Sequence, residues 1–127
     1  MVVEEEQKAL VRKALEGIWR NDSAVFDAHP GFAETRRMVP LVLAAFSDVS
    51  LGVQQQIAEG DTVATFCLLR ATHTGTFMGI APTSKTVECQ FLAMNRVAGG
   101  KVVQHNSEVG WLSVLRQLGV LPLKPRE

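Results

Sequence analysis

The densest group of reactive side chains stands in consecutive positions, His105, Asn106, Ser107 and Glu108. Apolar and polar residues alternate around them from Lys101 to Trp111, which predicts a strand. A carboxylate on the apolar face of a strand loses solvation, its pKa rises toward neutrality, and it becomes able to take and return a proton. Pairing Ala98 with Lys101 across Gly99-Gly100 puts Val87, Cys89, Phe91, Ala93, Val97, Val102, Asn106, Glu108 and Gly110 on one face. Leu92, Met94, His105, Ser107 and Trp111 fall on the other. The first face is the more apolar and is read as the lumen. Glu108 is then the candidate acid/base, Asn106 and Asn95 candidate partners for a ligand oxygen, and Phe91 a ligand contact. His105 points outward on this register. A bulge would reverse the assignment beyond its own position.

His29, in His29-Pro30-Gly31, sits where a turn leads into a helix, either at a pocket mouth or simply in the turn. His73, in Thr72-His73-Thr74-Gly75, either supports its loop or touches ligand. Both are kept as candidate binding residues. Cys67 and Cys89 lie inside apolar runs without metal-ligand spacing and read as buried thiols rather than a disulfide. With three histidines in all no metal site is expected, and no Gly-rich phosphate loop or nucleophile elbow is present. Arg36-Arg37 reads as a solvated face.

These residues need elements to position them. From Glu4 to Arg20, Leu10, Ala14 and Ile18 run beside Val11, Leu15 and Trp19 in one stripe of helical period. The stretch Ser23 to Gly31 is short and ends in the turn signal His29-Pro30-Gly31, and a second helix is expected over about 32–46, broken or kinked at Pro40. After Val49 the period changes to two. Pairing Ala58 with Asp61 across Glu59-Gly60 places Phe66 with Leu51, Val53, Ile57, Ala64 and Leu68 on one face, and makes Phe66 a further ligand contact. Thr74 to Ser84 is a Gly/Pro/Thr-rich excursion, and a second hairpin turns at Gly99-Gly100. Leu112 to Gly119 is a short helix.

Helices first and strands second mean an α+β domain, an antiparallel or mixed curved sheet wrapped on the N-terminal helices. The chain has 127 residues, 46% hydrophobic and 20% charged. That predicts one domain over 1–122 with a frayed tail at 123–127. Thirteen basic residues balance thirteen acidic ones, so no bulk charge attracts nucleic acid or an anionic membrane. The acidic start is unlike a signal peptide, and no apolar run is long enough to cross a bilayer. A cytoplasmic location is expected.

Ala58-Glu59-Gly60-Asp61-Thr62-Val63-Ala64, Arg70-Ala71-Thr72-His73-Thr74-Gly75-Thr76-Phe77, and Trp111-Leu112-Ser113-Val114-Leu115-Arg116-Gln117-Leu118-Gly119 together resemble the SnoaL-like polyketide (ester) cyclases of the nuclear-transport-factor-2-like superfamily. The resemblance covers about 46–122. It implies a cone-shaped α+β barrel, often dimeric, whose open end holds a pocket. It also implies cofactor-free ring closure of a polyketide by intramolecular aldol chemistry, with a pocket carboxylate as acid/base. His105 matches the family histidine and becomes a second catalytic candidate. The usual closing motif is His-Trp-(Asp or Asn)-x-x-Asp, whereas this chain has Asn106 in place of the tryptophan and Ser107 and Gly110 at the two acidic positions. The acid's work would then pass to Glu108. The alternatives are a non-catalytic small-molecule-binding or interaction module of the same fold, or an epoxide hydrolase- or isomerase-like enzyme. The expected partners are a hydrophobic small molecule and a second copy of the chain, held through an outer face of Leu92, Met94, Val103, Val109 and Trp111.

Overall fold

Three glutamates open the first helix, α1 (Val3–Ile18), where they suit the positive end of its dipole. Its buried stripe is Val11, Ala14, Leu15 and Ile18. In this computed structural model, which describes residues 3–120, Asp22 caps α2 (Ser23–Ala28) by accepting a 3.0 Å hydrogen bond from the Ala24 amide. A single 3₁₀ turn, Pro30–Phe32, leads into α3 (Ala33–Ala45). The expected break at Pro40 is not found: α3 runs through it. Pro40 faces solvent, so the carbonyl that loses its intrahelical partner can be satisfied by water. The tail expected to fray, 123–127, lies outside the described residues.

Four antiparallel strands follow in the order β1 (Phe46–Glu59), β2 (Thr62–His73), β3 (Thr86–Ala98) and β4 (Lys101–Val109). The sheet is curved and unclosed, the helices cover its inner face, and α4 (Trp111–Gln117) closes the described chain. Strict alternation of exposed and buried residues along β3 shows the two faces directly.

Both hairpins differ from the simplest pairing. In the first, Glu59 pairs with Thr62 and Ala58 with Val63. The turn residues are therefore Gly60-Asp61, with Gly60 at φ +62°, a conformation glycine adopts without cost and Glu59 would not. The inner row of this hairpin is Leu51, Val53, Cys67 and Leu69, while Ile57, Ala64, Phe66 and Leu68 face outward. In the second, Ala98 does pair with Lys101, but the register shifts by one between Val97 and Arg96. Beyond that bulge Asn95 pairs with His105, Ala93 with Ser107 and Phe91 with Val109. His105, Ser107 and Val109 thereby share the buried parity of β3, and Asn106 and Glu108 turn outward.

Candidate functional site

The bulge in β4 divides the candidate residues between two faces. Phe91, Asn95 and His105 lie inside the cone, as does Ser107. Phe66, Asn106 and Glu108 lie outside. The lumen placement of Glu108 and Asn106, and the outward placement of His105, are thus corrected. Each error has the same cause, one extra residue in a period of two. Phe66 is parted from Leu51 and Val53 by a second bulge, in β1 between Val53 and Gln55.

Inside, Trp19, Phe46, Leu69, Val87, Cys89 and Trp111 are among the residues lining an apolar cavity of about 30 Å³, room for about one water molecule. The Trp19 ring meets Phe91 edge-on at 5.4 Å, and Phe91 lies 6.4 Å from the His105 ring. Phe32 also packs against His105, at 4.8 Å. The Asn95 side-chain amide donates to His105 Nδ1 at 2.7 Å. Burial, with no opposing charge, pushes His105 down to about 4, so the imidazole is neutral at neutral pH. Three buried polar atoms in this region have no protein partner: Trp19 Nε1, His105 Nε2 and Asn95 Oδ1. Buried polar groups are nearly always paired, and each orphan costs about 1–3 kcal/mol. Among the described residues no Asp or Glu is buried. The interior therefore combines an apolar, aromatic lining with unpartnered polar atoms, and among the described residues no carboxylate is buried in it. The cysteines Cys67 and Cys89 are buried and unpaired, and burial raises Cys67 to about 11, which keeps that thiol protonated and unreactive.

Outside, Ile57, Phe66, Leu92, Met94, Asn106 and Glu108 border an open groove of about 580 Å³. Ile57 and Met94 are 60% and 54% exposed, and Glu108 is exposed. Val109 and Trp111, assigned above to an outer face, line the interior cavity instead.

The remaining histidines are tied into the framework. His29 Nδ1 accepts a 3.0 Å hydrogen bond from the Val102 amide and pins the 3₁₀ turn to β4. Burial first, and Lys101 second, hold its pKa below the ordinary value. Gly31 completes this junction, since a Cβ there would sit 2.7 Å from the Gln104 nitrogen. His73 is fully buried, and its Nδ1 accepts from the Thr83 amide at 3.2 Å, holding the loop between β2 and β3. Arg36 pairs with Asp27 at 2.8 Å on the surface. Two interior residues escaped sequence reasoning. Trp19 reads as plain core because it continues the α1 stripe, and Ser107 as a lost acid rather than a lumen side chain.

A family model for SnoaL-like polyketide cyclase matches residues 2–118. Among solved structures, AclR of Streptomyces galilaeus, a proposed hydroxylase, is 31% identical with a TM-score of 0.85, over 97% of this chain and 87% of that one. Wild-type IdmH of Streptomyces antibioticus, a proposed polyketide cyclase, is 28% identical with a TM-score of 0.75, over 90% and 99%. A proposed SnoaL-like polyketide cyclase of Jannaschia sp. CCS1 shares the fold at 18% identity, TM-score 0.80, over 96% and 97%. No curated protein sequence matches the chain.

Proposed function

Because the chain belongs to the SnoaL-like polyketide cyclase family, we propose that it binds an oxygen-bearing, polyketide-like polycyclic compound inside the cone and promotes its ring closure without a cofactor. The carrying observation is an apolar cavity lined by Trp19, Phe46 and Trp111, with unpartnered polar atoms on Trp19 itself and, beyond Phe91, on His105 and Asn95. In an aldol closure a proton leaves the carbon next to a carbonyl, and negative charge grows on oxygen. Donors fixed in an apolar site stabilise that charge. With no buried carboxylate among the described residues, this reading suits a substrate whose reacting carbon lies between two carbonyls and is already acidic. Pockets for such ligands span roughly 300–1,000 Å³, so binding must move the helical cover away from the inner face. We also propose that a second copy of the chain covers the outer groove, where Leu92, Met94, Ile57 and Phe66 gather.

The two tryptophans of the chain, Trp19 and Trp111, both line the cavity. Titration with 1,8-dihydroxyanthraquinone should therefore quench intrinsic fluorescence saturably, and Val87→Trp, which fills the cavity, should abolish high-affinity binding. Saturable binding that Val87→Trp leaves intact would reject the interior site. A second reading, hydroxylation, is favoured by the likeness to AclR. Oxygen uptake that depends on both a reductant and an added anthraquinone would favour it over ring closure.

A further inference from the structure

Asn95 and His105 occupy paired positions on neighbouring strands, both on the inner face. Asn95 is 1% exposed, so its amide is locked in place. Its Nδ2 stands 2.7 Å from His105 Nδ1. An amide NH₂ can only donate, and an imidazole nitrogen that accepts carries no hydrogen. The neutral ring must then hold its hydrogen on Nε2. That atom is itself buried and without a partner, and the ring lies against Phe32 and Phe91.

We propose that Asn95 is a positioning residue that fixes His105 as the Nε2–H tautomer, and that this N–H is the donor to a ligand carbonyl oxygen in the interior. The tautomer half stands on the ligand-free protein; the donor half rests on the interior site proposed above. A neutral imidazole N–H stabilises charge growing on an oxygen without surrendering its proton. A carboxylate at position 95 would do the opposite. It would accept a hydrogen bond from Nδ1–H, leave Nε2 as an acceptor and make the ring more basic. The identity of residue 95 therefore decides whether His105 serves as a donor or as a base.

Nitrogen-15 long-range correlation spectra of histidine-labelled protein test this, with His105→Gln identifying the signal. The unmodified protein should show hydrogen on Nε2 and none on Nδ1. Asn95→Asp should place hydrogen on Nδ1, and Asn95→Leu, of similar size, should give a mixture of tautomers. Asn95→Ser replaces either variant that fails to fold by circular dichroism, and should also lose the single tautomer. An Nδ1–H ring in the unmodified protein overturns the proposal, as does a tautomer unmoved by every substitution. Adding 1,8-dihydroxyanthraquinone should then shift the His105 Nε2 resonance. Saturable tryptophan quenching with an unmoved Nε2 rejects the donor role and leaves the interior site standing. No quenching at all rejects the interior site and the donor role together, while the ligand-free spectrum still judges the tautomer.

Discussion

His105 makes the interior sensitive to acid. Its folded-state pKa of about 4 lies below the ordinary 6.5, so the unfolded chain takes up a proton more readily. The stability contributed by its neutral form is complete above pH 6.5 and is lost as pH falls toward 4. The total is at most about 3 kcal/mol. Urea denaturation at pH 7 and pH 4.5 should show a smaller pH difference for His105→Phe than for the unmodified protein. The carboxylates behave differently. Glu108 is exposed on the outer face, so Glu108→Gln should leave anthraquinone quenching unchanged and should not show the ~10²–10⁴ loss of turnover typical of a removed acid/base. Gly110, by contrast, is the N-cap of α4. A Cβ there would lie 3.4 Å from the Cys89 Cβ, an allowable contact beside a cavity-lining residue. Asp and Gly are both accepted at an N-cap and differ by only about a few tenths of a kcal/mol. Gly110→Asp should fold and raise ring-closing turnover, measured by chromatography of the products.

At the scale of elements, β4 and the 3₁₀ turn matter most. β4 is an edge strand, and its bulge aims His105 and Ser107 inward. The turn that covers it is held by one hydrogen bond between the Val102 amide and His29 Nδ1 and by the close approach at Gly31. Removing the imidazole strands a buried backbone N–H, a change that costs about 1–3 kcal/mol. His29→Ala should lower the urea midpoint accordingly. If this turn belongs to the cover that moves on binding, the same variant should speed anthraquinone association in stopped-flow fluorescence. Equal association rates would place the moving part elsewhere.

For the molecule as a whole, the sheet separates two kinds of surface. The inner face, under the helices, is the core; the outer face leaves Leu92 and Met94 half exposed around an open groove. Stable protein interfaces bury about 800 Å² per partner around such an apolar centre. Sedimentation at tens of micromolar protein should give a dimer, and Met94→Asp, which puts a charge at that centre, should give a folded monomer. A monomeric parent protein would reject the pairing. Much of this architecture was legible in the residues. The α1 stripe, the change from helical to alternating period near Val49, and the glycines at both hairpins were enough for an α+β fold with a curved antiparallel sheet, because periodicity and turn chemistry are local properties. The SnoaL-like motifs were legible for the same reason. The inner face of β4 was not. A bulge leaves no clear mark in an alternating strand where Asn106, Ser107 and Glu108 are all polar, and one extra residue exchanges both faces. Tertiary packing settled it, because His105 packs against Phe32 and Phe91 with Asn95 at its Nδ1, whereas the exposed Glu108 keeps its charge in water. The sequence by itself therefore determined the elements and the family, and the packing of the helices against the sheet decided which polar groups face the interior.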